Sequence, residues 1–266
     1  MINIIVAGAA GRMGARIINV IGQTDGVKLA GAFEHPDSPF INHDAGLAAG
    51  LGETGIKIAD SISKVIDHGD VVIDFTSPKA TLENIRAVSE KGRSMVIGTT
   101  GMTGELLENV ERIAKGMRCV ISPNMSVGVN VMFKVAAMMA EILGNDYDME
   151  IVEAHHRLKK DAPSGTAMAL ARTLARATGR DLDKVAVYER KGITGERTKE
   201  EIGIQTLRAG DITGDHTVMF GGIGERLELI HRAHNRDNFA RGAVRAAKWV
   251  IEQPAGLYNM QDVLGI

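Results

Sequence analysis

Between residues 153 and 167 the chain reads Glu-Ala-His-His-Arg-Leu-Lys-Lys-Asp-Ala-Pro-Ser-Gly-Thr-Ala, so His155, His156, Arg157, Lys159 and Lys160 crowd ahead of a Pro-Ser-Gly-Thr turn. An imidazole can pass a proton during a reaction near neutral pH, which makes His155 a candidate acid/base; the ammonium of Lys159, four residues on, can do the same. An Ala- and Leu-rich run with helical periodicity follows over residues 167–177, and Ser164 is of the type and in the place that caps a helix N-terminus. The first backbone N–H groups of such a helix have no partner inside it, and the aligned peptide dipoles favour negative charge there. Gly165 lets a ligand approach the backbone closely, and the Thr166 hydroxyl adds a donor. The stretch reads as a strand end, a loop and a helix start that receive a carboxylate or phosphate beside a proton-transfer group. A solvated basic loop ahead of an ordinary capped helix would share many of these residue types, so the rest of the chain has to distinguish the two.

Two domains are expected from 266 residues, each large enough to bury a core. With 44% hydrophobic and 24% charged residues and a net charge of -2, the composition is that of a soluble globular protein and argues against a general nucleic-acid or membrane-surface role. Cys119 is the only cysteine and lies in an apolar run, so it cannot form an internal disulfide and reads as a small buried side chain in a reducing compartment. The apolar residues 2–10 lack a basic leader, and no run approaches the ~18 to 20 apolar residues of a membrane span. A cytoplasmic location is therefore expected, with no metal site.

The elements that must position the chemistry begin with a β-branched run over residues 3–7, followed by Gly8, Ala9, Ala10, Gly11, Arg12, Met13 and Gly14 and then a helical pattern. GxxGxxG is a variant of the dinucleotide fingerprint and weak by itself. A second strand over residues 27–33 ends in Glu34, twenty residues after Gly14, where a dinucleotide-binding fold places the carboxylate that takes the adenosine ribose. Residues 36–55 read as a loop excursion near the adenosine end. Strands over 56–59, 71–75, 94–97 and 117–121, with amphipathic helices over 81–91 and 104–115, complete the βαβ alternation of a Rossmann-like, doubly wound parallel sheet. Three strand ends carry small polar turns: Thr76-Ser77-Pro78, Gly98-Thr99-Thr100-Gly101 and Ser122-Pro123-Asn124-Met125. The second and third are assigned to the nicotinamide half of the cofactor.

A Met- and Ala-rich helix over residues 127–143, its methionines read as core, leads into a second, α+β domain. Strands over 148–154, 185–188, 202–207, 217–220 and 227–232 give it an open mixed sheet. A small sheet with helices on one face must cover the other, so this domain is expected to supply an oligomer interface. An amphipathic helix over 238–252 with Trp249 should return to the first domain. The expected division is residues 1–126 completed by 236–266, and 127–235.

These runs together, with residues 126–130 and the closing run of residues 231–243, closely resemble the 4-hydroxy-tetrahydrodipicolinate reductase (dihydrodipicolinate reductase) family of bacterial lysine and diaminopimelate synthesis. The resemblance spans essentially the whole chain; the motif over 153–166 is highly specific, whereas the glycine turn is not. It implies NAD(P)H-dependent reduction of dihydrodipicolinate or its 4-hydroxy form to tetrahydrodipicolinate. It also implies roles: His155 as acid/base, Lys159 as proton donor, and His156, Gly165 and Thr166 holding a small dicarboxylate substrate. Gly8 to Met13, Glu34, Gly98, Thr99, Thr100, Ser122, Pro123, Asn124 and Met125 would hold NADH or NADPH. The family implies a homotetramer built through the second domain. His35 departs from several members, which carry Arg there; Glu34 repels a 2'-phosphate and neutral His35 compensates poorly, with Arg12 or Arg16 helping only in part. NADH is therefore expected to serve at least as well as NADPH. Two rival readings are an amino-acid or sugar dehydrogenase of the same architecture, which would not require the 153–166 motif, and a non-enzymatic redox sensor, which would turn over no imine.

Overall fold

Short β-branched runs alternate with amphipathic helices through the first half of the chain, and the computed structural model, which describes all 266 residues, forms two compact units from them. One comprises Met1–Val127 with Arg236–Gly265, the other Gly128–Asn235 with the terminal Ile266. The first unit runs β1 (Ile2–Ala7), α1 (Arg12–Gly22), β2 (Val27–Phe33), α2 (Ala45–Ala49), β3 (Ile58–Ala59), β4 (Val71–Asp74), α3 (Pro78–Glu90), β5 (Ser94–Ile97), α4 (Gly104–Ala114) and β6 (Arg118–Ile121). The second runs from α5 (Val127–Leu143) through β7 (Asp148–His155), α6 (Gly165–Ala177), α7 (Leu182–Val185), β8 (Ala186–Val187), β9 (Ile202–Arg208) and β10 (Gly214–Gly221) to β11 (Arg226–Ala233). The chain then completes the first unit with α8 (Asp237–Val250), β12 (Gly256–Tyr258) and α9 (Met260–Leu264).

The first sheet is parallel throughout, in the order β12-β6-β5-β4-β1-β2-β3. Its central strands are sealed on both faces: Ile4, Ile5, Val71, Val72, Ile73, Val96 and Ile97 are all fully buried. Ile17, Ile18 and Ile21 of α1 with Ala243, Val244 and Ala247 of α8 cover one face, and Ile85 and Val88 of α3 with Val110 and Ala114 of α4 cover the other. The chain leaves β1 toward β2 on one side and resumes at β4 on the other, so a crevice opens beyond the carboxyl ends of β1 and β4, the place where open parallel sheets bind ligands.

The second sheet has the order β11-β10-β7-β9-β8 and is mixed: β7 and β8 run parallel to β9, while β10 is antiparallel to both β7 and β11. Side chains alternate between its faces, so one row on β7 consists of Met149, Ile151, Glu153 and His155. The first two pack with Ile202, Ile204, Val218 and Phe220 beneath α5 and α6. The row then turns polar, and the register brings Thr206 opposite Glu153, Arg208 opposite His155, His216 opposite Glu153 and His231 opposite His216. The other face, with Val152, Thr217 and Met219, has no helical layer, and Leu207 and Ile230 on it are 54% and 46% exposed.

Four features differ from the sequence expectation. Residues 36–55 contain α2, held by the Asp44 carboxylate, which accepts from the N–H groups of Gly46 and Leu47 and also of Thr54 and Gly55. A five-residue helix is too short to display a period. β12 and α9 were not expected at all; β12 has three residues and is made a strand by its parallel register with β6. Met138, read as core, is half exposed together with Val131, and Ile142 is more so, while Val129, Met132, Ala136 and Ala140 form the buried stripe. A helix apolar all round does not reveal which stripe the core will take. That same helix with its extension, Val127–Asp146, is long and apolar enough to cross a membrane, contrary to expectation; in the structure Met132, Ala136 and Ala140 pack into the core of the second unit.

Candidate active site

In the first unit the glycine turn brings backbone against backbone. Gly8 has a φ of +65°, and a Cβ at Gly14 would stand 2.0 Å from the Gly8 carbonyl oxygen, so the turn and the start of α1 can nest only without side chains. The Ala10 N–H donates to Glu34 Oε1 at 3.0 Å, and the His35 N–H donates to Oε2 at 3.2 Å. Gly8, Gly11, Glu34, His35, Thr76 and Ser77 are among the residues lining a cavity of about 510 Å³ at this point. Ala9 is core, Met13 packs against the core, and Arg12 is exposed at the first position of α1. Arg16 turns to Asp237 at 3.6 Å, and the exposed His35 ring lies 3.5 Å from the Asp37 carboxylate.

A second cavity in this unit, of about 550 Å³, lies along the ends of β5, β6 and β12 and is lined by Thr99, Thr100, Gly101, Pro123, Tyr258 and Asn259 among others. Several predicted side chains here are engaged within the protein. The Thr99 hydroxyl accepts from the Thr76 N–H at 3.1 Å and bonds Thr81 Oγ1 and the fully buried Asp74 carboxylate, which also takes the Asn84 amide. Ser122 Oγ donates to the Asn124 carbonyl at 2.8 Å, and Asn124 Oδ1 accepts from the Ser126 N–H. Met125 is buried in the core, and a Cβ at Gly242 would stand 1.7 Å from its carbonyl oxygen. A Cβ at Gly98 would strike the Phe75 ring at 2.2 Å. These turns offer a ligand mainly their backbone and Thr100.

In the second unit Ser164 caps α6, its hydroxyl accepting from the Ala167 N–H at 3.1 Å. Nothing would obstruct a Cβ on Gly165, so this helix start is open on that side. The Glu153 side chain, fully buried, ties the site together. Its Oε2 lies 2.5 Å from His155 Nδ1, its Oε1 accepts the Ser164 N–H at 2.9 Å, and the Arg208 guanidinium grips both oxygens at 2.8 and 2.9 Å. Burial alone would raise the carboxyl's pKa, but the hydrogen bonds from His155, Arg208 and Ser164 outweigh it and hold Glu153 down to about 2. His216 meets the His155 ring edge-on at 5.2 Å and bonds Ser164 Oγ at 3.0 Å; burial, then the nearby charge of His155, pushes its pKa down to about 3. Lys159 Nζ donates to both oxygens of Asp161 at 2.9 Å, and the Nδ1 of His156 is buried without a hydrogen-bond partner.

Glu153, Thr206, Arg208 and His216 were not singled out from the sequence. One signal was present: Glu153 stands where the alternation of β7 calls for an apolar residue. Arg208 and His216 carry no such sign, because strand register across more than fifty positions brings them here.

Residues 2–125 match the family described as dihydrodipicolinate reductase, N-terminus, and residues 128–264 match its C-terminus. The chain belongs to the dihydrodipicolinate reductase family. Over its full length it is 56% identical to the 4-hydroxy-tetrahydrodipicolinate reductase of Syntrophus aciditrophicus, covering 99% of that protein, and 56% identical to that of Syntrophobacter fumaroxidans, covering 100%. Among solved structures it is similar to a dipicolinate-bound dihydrodipicolinate reductase from Paenisporosarcina sp. TG-14, with a TM-score of 0.77, 25% identity and 98% of each chain covered. As in that family, the chain is an oxidoreductase with a Rossmann-like unit and a second, mixed-sheet unit.

Proposed function

We propose that this family member reduces dihydrodipicolinate, or its 4-hydroxy-tetrahydrodipicolinate form, to tetrahydrodipicolinate in lysine and diaminopimelate biosynthesis, using NADH at least as well as NADPH. One observation carries the reading: at the end of β7 a single buried carboxylate joins an imidazole to the N-terminus of α6, and an ammonium stands in the loop between them. Reduction of a conjugated C=C–C=N system leaves electron density that must be protonated on a neighbouring carbon. His155 serves as the acid/base, and Lys159, steadied by Asp161, as the proton donor. The two carboxylates of the substrate account for the open start of α6 at Gly165 and Thr166 and for the orphaned buried Nδ1 of His156. The dipicolinate-bound relative, holding a ring dicarboxylate, supports the same substrate class here.

The first unit fits a nicotinamide dinucleotide, since the turn at Gly8 and Gly14 leaves its backbone bare at a sheet crevice and Glu34 stands beside it. When bound in reduced form that group supplies the hydride. Gly8, Ala9, Ala10, Gly11, Arg12 and Met13 would take the pyrophosphate, Glu34 the ribose, and Gly98, Thr99, Thr100 and Ser122 to Met125 the nicotinamide half. The pairing of His35 with Asp37 and of Arg16 with Asp237 weakens the site for a 2'-phosphate. The uncovered face of the second sheet supports a homotetramer built through it, and biosynthesis of this kind supports a cytoplasmic location.

The test is stopped-flow oxidation of NADH with freshly generated dihydrodipicolinate. Wild type should turn over, while His155→Ala should lose on the order of 10² in kcat with dinucleotide binding nearly intact. Unchanged turnover in that variant would remove His155 from the chemistry, and preference for generic oxo acids would favour the dehydrogenase reading.

A further inference from the structure

We infer that Glu153, backed by Arg208, is the positioning residue that sets the tautomer of His155, placing its hydrogen on Nδ1 and presenting Nε2 as the nitrogen that exchanges a proton with substrate. The inference deepens the function proposed above and rests on it. Four groups donate to Glu153, the Ser164 N–H at 2.9 Å, the two terminal nitrogens of Arg208 at 2.8 and 2.9 Å and the Thr206 hydroxyl at 3.3 Å, and His155 Nδ1 lies 2.5 Å from its Oε2. An ionised carboxylate only accepts, so the neutral imidazole facing it must carry its hydrogen on Nδ1.

Arg208 has a distinct part in this. A fully buried carboxylate without a counter-charge would take up a proton, and a protonated Glu153 could donate to Nδ1 and reverse the tautomer. The bidentate guanidinium prevents that. The opposite edge of the ring is also prepared. A Cβ at position 214 would stand 3.1 Å from His155 Nε2, so glycine there keeps a side chain off the nitrogen in question. Because the same carboxylate takes the Ser164 N–H, proton transfer and anion binding are registered to one another: the acid/base and the start of α6 share a single anchor.

The experiment is ¹⁵N NMR of histidine-labelled protein, with His155 assigned by its loss in His155→Ala. In wild type, neutral His155 should show a protonated Nδ1 and a bare Nε2. In Glu153→Gln, whose amide can donate to Nδ1, the Nε2–H tautomer should take over. With it, kcat should fall by on the order of 10², while NADH binding and the affinity for dipicolinate change by no more than about threefold. Glu153→Gln added to His155→Ala should lower kcat no further, because the residue acts through the ring. An Nε2–H tautomer in wild type would overturn the inference even if the Gln variant failed to fold, and so would full, multiplicative losses in the double variant. Failure of the proposed function reads differently: wild type would show the Nδ1–H tautomer and no turnover of dihydrodipicolinate.

Discussion

Arg208→Met measures how strongly the second unit depends on its buried ion pair. Methionine keeps much of the aliphatic length but removes the two charge-assisted hydrogen bonds to Glu153, at 2.8 and 2.9 Å, and the one to the Asp161 carbonyl at 2.7 Å. A carboxyl held at about 2 in the folded protein, against 4.5 in the unfolded chain, favours folding at neutral pH by about 3 kcal/mol. Because the folded pKa is depressed, this contribution is complete above pH 4.5 and is lost as the pH falls through about 2. Without the guanidinium the His155 and Ser164 hydrogen bonds still favour the charged form, but burial weighs more heavily against them, and the loss of the Arg208 share adds to the cost of leaving a buried charge without its counter-ion. The variant should therefore be destabilised by about 3 kcal/mol at pH 7.5, within the range for a buried pair stripped of one partner, and by less than half of that at pH 3. Urea unfolding followed by far-UV circular dichroism suits the measurement, since the only tryptophan, Trp249, lies in the other unit. A loss below about 1 kcal/mol at pH 7.5, or one of equal size at both pH values, would refute the reasoning.

Three further perturbations bear on the rest of the molecule. His35→Arg introduces a guanidinium beside Glu34 and should raise kcat/KM for NADPH relative to NADH by on the order of tenfold in steady-state assays; a wild type already favouring NADPH tenfold would contradict the assignment. Gly14→Ala places a methyl group 2.0 Å from the Gly8 carbonyl, so it should abolish NADH binding in fluorescence titration and destabilise the first unit by about 1 to 3 kcal/mol. Leu207→Glu with Ile230→Glu puts charge on the uncovered sheet face, and light scattering should then report a smaller assembly than that of the wild type, for which a tetramer is proposed.

Much of the fold was legible because its signals are local. The strands of residues 27–33 and 94–97 and the helix of residues 127–143 fall where residue type and periodicity place them, and Ser164 caps α6 as its position foretells. What escaped was either too short or too uniform: the five residues of α2, the three of β12, and the choice of stripe on a helix apolar all round. The small polar turns after β5 and β6 were legible as turns, but the engagement of their side chains was not. The Thr99 hydroxyl looks available to a ligand in the sequence and is committed to Asp74, Thr76 and Thr81 in the fold.

By itself the sequence determined the groups that can do chemistry and the local geometry that carries them: His155 and Lys159 ahead of a capped helix start, and a bare glycine turn followed by an acid. These depend on interactions spanning only a few residues, which residue type and spacing encode directly. Only the tertiary structure decided which nitrogen of His155 meets Glu153, that Arg208 grips the same carboxylate, and that His216 is buried against Ser164. Those contacts depend on the register of β9 and β10 against β7, and register is set by how whole strands bury their apolar rows beneath α5 and α6.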